Sequence, residues 1–168
     1  MGLRNIRKEG DELLKKKSKE VEVIDDKIKE LIQDMIDTMH EYDGVGLAAV
    51  QVGILKNIIV IDLYNEKPIL KLINPKIIKT KGEQEVEEGC LSFPNKYVKV
   101  IRPAEVTVEA LDENGKKIKV TGTELLAQAL SHEMDHLNGV VLTDVMLPGT
   151  MEVVTPEEKT DRKNKRRK

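Results

Sequence analysis

Two of the chain's three histidines, His132 and His136, stand four residues apart in the stretch LSHEMDHLNG, and Glu133 follows the first. On a helix advancing about 100° per residue the two imidazoles point only about 40° apart, one turn from each other. Side chains so placed can grip one divalent ion. Glu133 falls about 60° to the side of His136, off the line of a ligand but within reach of a water beside the ion. A carboxylate there can take a proton from that water and return it to a leaving group. The His-Glu-x-x-His pattern therefore predicts metal-assisted hydrolysis. A solvated helix face would explain the charges, but not the concentration here of so scarce a residue type.

A catalytic ion of this kind needs a third protein ligand and an open position. In the extended form of the pattern a third His follows three residues after a Gly; here Gly139 is in place, but Leu142 stands at the ligand position and cannot bind metal. Glu152, Glu157 and Glu158 lie further on, in a polar tail that offers little rigid support. Upstream, the single cysteine, Cys90, stands in EEGCLSFP. A lone cysteine is commonly a small buried hydrophobe, yet a thiolate with two imidazoles is a recognised catalytic set. Leu125, Gln128 and Ala129 lie within about 60° of the direction of His132, so the ligand face continues as a largely apolar strip, either core or the wall of a pocket.

Three segments together resemble peptide deformylases in content, order and spacing: GVGLAAVQVG (44–53), EEGCLS (87–92) and HEMDHLNG (132–139). A weaker similarity runs from the N-terminus to about Asp144. The resemblance implies removal of the formyl group from N-formylmethionine at the start of new polypeptides, with water activated by Glu133 attacking the formyl carbonyl. It implies Cys90, His132 and His136 as metal ligands, with Fe2+ as the cellular ion and Zn2+, Ni2+ or Co2+ as substitutes in purified protein. It assigns Gln51 and the backbone N–H of Leu91 to the oxyanion, and Gly46 to the substrate backbone. Val45, Leu125, Gln128 and Ala129 border its methionine pocket. Position 131 is Ser where the family commonly has Gln.

The elements that must position these residues are legible in part. Ile24, Ile28, Leu31, Ile32, Met35, Ile36 and Met39 recur at three- and four-residue steps, which predicts a helix begun by Asp25 and Asp26 and turned back at Gly44. His40, near its end, reads as a partly exposed helical residue. Residues 57–64 and 69–80 read as strands around the turn NEKP, and 97–112 alternates apolar and polar residues. EALDENGKKIKV reads as a hairpin. The histidine helix begins near Thr121 or Thr123, either of which can cap it, and ends at Gly139.

A chain of 168 residues with 39% hydrophobic residues but 2% aromatics fits one domain with an aliphatic core. The expectation is an α+β fold in which antiparallel strands pack around the metal-binding helix of the C-terminal half. Residues 1–148 form the catalytic domain and 149–168 a polar, basic, mobile tail. One cysteine excludes an intrachain disulfide, and neither a signal-peptide core nor a membrane-length apolar run is present. The net charge of -2 gives no argument for DNA. The expectation is a cytoplasmic monomer acting on a formylmethionyl peptide or nascent chain, with transient ribosome contact through the basic run DRKNKRRK (161–168).

Overall fold

The computed structural model describes residues 2–155 together with 157, 158, 160 and 161. Helix α1, Asp26–Glu41, carries the predicted stripe, and Asp25 caps it by accepting a hydrogen bond from the Ile28 amide at 3.0 Å. The reversal after it differs from expectation. Asp43, not Gly44, takes the left-handed conformation, with φ of 56°. Gly44 is needed for a different reason: a Cβ there would lie 2.6 Å from Leu91 Cδ1.

Strands β1 (Gly46–Ala48), β2 (Ile58–Ile61), β3 (Leu70–Lys81), β6 (Glu105–Leu111) and β7 (Lys117–Thr123) form a sheet in the order β1-β2-β3-β6-β7. Strands β4 (Gln84–Cys90), β5 (Phe93–Arg102) and β8 (Glu152–Val153) form a second sheet in the order β4-β5-β8. Every pairing is antiparallel. The alternating run 97–112 is broken at Pro103, whose ring cannot donate to a ladder, and continues in the other sheet. The predicted hairpin is β6–β7, closed at Asp112–Gly115.

Strand β2 explains how the layers assemble. Successive side chains of a strand face opposite ways, so Ile58 and Val60 pack with α1 while Ile59 and Ile61 pack with helix α2, Glu124–Leu137. A strand buried on both faces has no use for polar residues, hence the unbroken Ile-Ile-Val-Ile. Leu130 of α2 is fully buried in that second cluster, a placement that stabilises by about 2 kcal/mol.

Thr123 occupies the N-cap position of α2 without a side-chain cap bond, and Thr121 is engaged across the sheet with Thr107 at 3.0 Å. Neither predicted cap operates. Gly139 ends the helix with φ of 74°, and a Cβ there would meet the backbone oxygen of Lys15 at 2.5 Å. The short helix α3, Leu142–Val145, follows.

The N-terminal segment is a strap across these layers. Arg7 N–H donates to Gln51 O at 2.6 Å, Glu9 N–H to Ser92 O at 2.8 Å, and Ser18 N–H to Leu137 O at 2.8 Å. At the other end, β8 pairs with Lys96 and Tyr97, and Val154 is buried, so the chain stays packed for several residues past 148. The basic run begins at Asp161, and its remainder, 162–168, lies outside the described residues. Among the described residues no helix is long and apolar enough to cross a membrane.

Candidate metal centre

Strand β1 is an edge of the larger sheet and β4 an edge of the smaller. A cleft of about 570 Å3 opens between them, with α2 along one side. Val45, Gly46, Gln51, Cys90, Leu91, Leu125, Gln128, Ala129, His132 and Glu133 all line it. His136 lies behind this surface, 1% exposed. Ten of the eleven residues singled out from the sequence thus face one cavity, and the eleventh touches it through its neighbours.

Cys90 ends β4, and the two-residue turn Leu91–Ser92 leads directly into β5. That hairpin brings a residue 46 positions away onto the histidine helix: Cys90 Sγ lies 3.3 Å from His136 Nε2. The two Nε2 atoms are 3.2 Å apart, and all three donor atoms fall within 4.8 Å of one another. Ligands about 2.0–2.3 Å from a tetrahedral ion sit roughly 3.3–3.8 Å apart. The spacing fits one divalent ion. So does the chemistry, because two imidazole nitrogens at that distance need either a shared proton or a cation between them. Glu152 and Glu158, weighed from the sequence, are exposed and are not part of this cluster.

The tautomer is set from behind. His132 Nδ1 lies 2.9 Å from Glu88 Oε1, so Nδ1–H donates to the carboxylate and Nε2 keeps its lone pair for a metal. Glu88 is itself held by Arg102 through two bonds of 2.7 and 2.8 Å, and Arg102 reaches Asp135 on α2 at 2.6 Å. Burial alone would raise the Glu88 carboxyl, but Arg102 and His132 outweigh it and bring it down to about 2. The carboxylate is therefore charged throughout the working pH range. Glu88→Ala should cost about 10–100-fold in metal affinity, measured by chelator competition. An unchanged affinity would remove Glu88 from the site. These supporting residues were missed because EEGC and VIRP read locally as surface charge, and 14 residues separate Glu88 from Arg102.

Glu133 is 3% exposed, and its Oε1 has no hydrogen-bond partner among the described residues. Burial pushes its carboxyl up to about 7, beyond what the nearby His132 offsets. Its Oε2 would lie 2.5 Å from a Cβ at position 46, so only glycine lets β1 pass this close to the carboxylate.

Gln51 is 1% exposed, against the usual surface habit of glutamine. Its Oε1 accepts from Ala48 N–H at 2.9 Å, while Nε2 donates to Ser92 Oγ at 3.0 Å and lies 3.5 Å from Cys90 Sγ. Those contacts orient the amide with its N–H groups toward the cysteine. Gln128 is also tied, its Nε2 donating to Glu87 O across the cleft at 3.1 Å, which reduces the polarity it presents to a ligand.

The Polypeptide deformylase family model matches residues 3–151. Peptide deformylase 2 of Clostridium acetobutylicum is 54% identical over 147 residues, covering 87% of this chain and 97% of the relative. The peptide deformylase of Acetivibrio thermocellus is 51% identical over 167 residues, covering 99% and 95%. Among solved structures, the Synechococcus elongatus peptide deformylase in complex with actinonin superposes with a TM-score of 0.84 at 45% identity, covering 87% of this chain and 82% of that one. Sequence likeness over nearly the full length, a shared fold and one sulfur and two imidazole donors beside a buried glutamate lead to one assignment: the chain belongs to the polypeptide deformylase family.

Proposed function

We propose that the cleft between β1 and β4 carries out the family's metal-dependent hydrolysis, releasing formate from N-formylmethionine of newly made polypeptides, with the following division of labour. Cys90, His132 and His136 hold the ion. When bound, a divalent ion there acidifies water and polarises the formyl carbonyl. Glu133 takes one proton from the attacking water, whose oxygen bonds to the formyl carbon. The negative charge then gathering on the formyl oxygen meets the Gln51 amide and the Leu91 backbone N–H, donors that need little rearrangement. Glu133 passes its proton to the departing nitrogen as the carbon–nitrogen bond breaks, leaving formate and a free amino terminus. Gly46 lies along the substrate backbone. Val45, Leu125, Gln128 and Ala129 border the methionine side chain.

The observation that carries this reading is the convergence of the three donor atoms with Glu133 and Gln51 in one cleft. Its test is anaerobic purification with elemental analysis, then formate release from a formylmethionyl peptide. About one ion per chain and formate production are expected. Iron-loaded protein that releases no formate would overturn it.

Fe2+ is the proposed resident ion, with Zn2+, Ni2+ or Co2+ able to replace it; a thiolate with two imidazoles suits each of them. The proposed setting is a cytoplasmic monomer. Its basic run 161–168 is proposed to make transient contact with the ribosome through phosphate. That contact should weaken with salt and vanish when 159–168 are deleted. A salt-sensitive affinity that survives the deletion would reject it.

A further inference from the structure

One wall of the cleft is the segment from Tyr42 to Gly46, which leads from α1 into the edge strand β1. A loop with two glycines has little intrinsic preference for one path. Its rear surface, however, is fastened to the end of β2. Tyr64 Oη donates to Gly44 O at 2.7 Å, and Asp62 N–H donates to Val45 O at 2.8 Å. The Asp62 carboxylate holds both neighbours, accepting from Tyr64 N–H at 2.8 Å through Oδ1 and lying 2.7 Å from His40 Nε2 through Oδ2. His40 and Tyr64 also contact ring to ring, with centroids 5.9 Å apart.

The clamp costs something to hold. Tyr64 has φ of 54°, a left-handed conformation that a bulky side chain seldom adopts. Such geometry persists only where the surroundings impose it, and here the tyrosine backbone, hydroxyl and ring are each engaged. The front of the same segment is equally constrained, since Gly44 sits against Leu91 and Gly46 against Glu133. The clamp thus fixes the distance between its rear anchor on β2 and the opposite lip of the cleft at Leu91. It touches none of the three donor residues.

We infer that Tyr64 and Asp62 are positioning residues that hold the Gly44–Gly46 wall in the shape the substrate peptide lies against. This rests on the deformylase reading of the cleft. Loss of the tyrosine hydroxyl removes one bond to the wall and leaves the chemistry intact. Tyr64→Phe should therefore raise KM about three- to tenfold, the scale of one hydrogen bond, with kcat held within about twofold. Asp62→Ala should move KM in the same direction and further.

The experiment measures three quantities on metal-loaded protein: formate-release kinetics, hydrogen exchange over residues 42–48, and calorimetric affinity for a formylmethionyl tripeptide. Affinity is measured with the Tyr64 and Asp62 variants built into a Glu133→Gln background, which prevents turnover. Faster exchange over 42–48 with weakened peptide affinity and unchanged metal content is the expected result. Peptide affinity that stays at the parent value, whether or not exchange or thermal stability changes, overturns the inference. Absence of formate release from the parent protein would count against the deformylase reading alone, since the affinity comparison stands without turnover.

Discussion

Cys90→Ala protein, purified without oxygen, should come off the column with little bound metal and should release formate more than about 100-fold more slowly than the parent. The magnitude follows from comparison: losing a residue that merely orients a ligand costs about 10–100-fold in affinity, and Cys90 supplies a donor atom itself. With the sulfur gone, two imidazole nitrogens 3.2 Å apart remain, and Glu152 and Glu158 are no part of the cluster. The substitution also separates two hydrolase chemistries. A site built on two histidines and a carboxylate would keep its metal through this change. Elemental analysis of the variant decides, and full metal content would exclude Cys90 as a ligand. Because Cys90 is only half-buried at a hairpin end, the metal-free fold should survive.

Glu133→Gln should do the opposite, keeping the metal and losing the reaction, with kcat down by about 10^2–10^4-fold. Gln has nearly the shape of Glu but cannot carry the proton from water to the leaving nitrogen. A second signature lies in stability. Burial raises the Glu133 carboxyl to about 7 in the folded chain, against 4.5 for a glutamate free in water. A raised folded-state value means that folding favours the protonated form. The associated stability is fully present below pH 4.5 and is lost as pH rises to about 7. In chelator-treated protein, wild type should therefore lose ground to Glu133→Gln over this window, by on the order of 3 kcal/mol. Denaturant titrations of both proteins at pH 4, 6 and 8 read this directly. Parallel pH profiles would show that Glu133 is not buried as described.

Helix α2 and its ligands were legible in the sequence because a single element carries both the period and the chemistry. The stripe of α1 was legible for the same reason. Strand β4 was not, since it has little apolar content and its charges, Glu85, Glu87 and Glu88, look like solvated surface. One of those three is buried in a salt bridge, and only the pairing of β4 with β5 sets Glu88 apart from its neighbours. Strand β1 is three residues long inside a glycine-rich run, too short for any period to show. Residue chemistry left the third ligand open, and the resemblance pointed to Cys90. Geometry adds the reason, a two-residue turn that returns β4 onto the histidine helix.

Ser131 also has a physical description now. It is buried, and its hydroxyl has no partner among the described residues. Nothing in the structure explains the choice of serine there.

The N-terminal strap has a consequence for how the molecule comes to exist. Its first twenty residues leave the ribosome before everything they bind. Arg7 waits for Gln51, Glu9 for Ser92, and Ser18 for Leu137, 119 positions later. Closing such loops is entropically slow, and chains rich in distant pairings reach the native state late. The amide of Ser18 meets its carbonyl only after the histidine helix has emerged. The active centre is thus a product of the last stage of synthesis, and a ribosome stalled before residue 137 should display a chain that cannot close its strap.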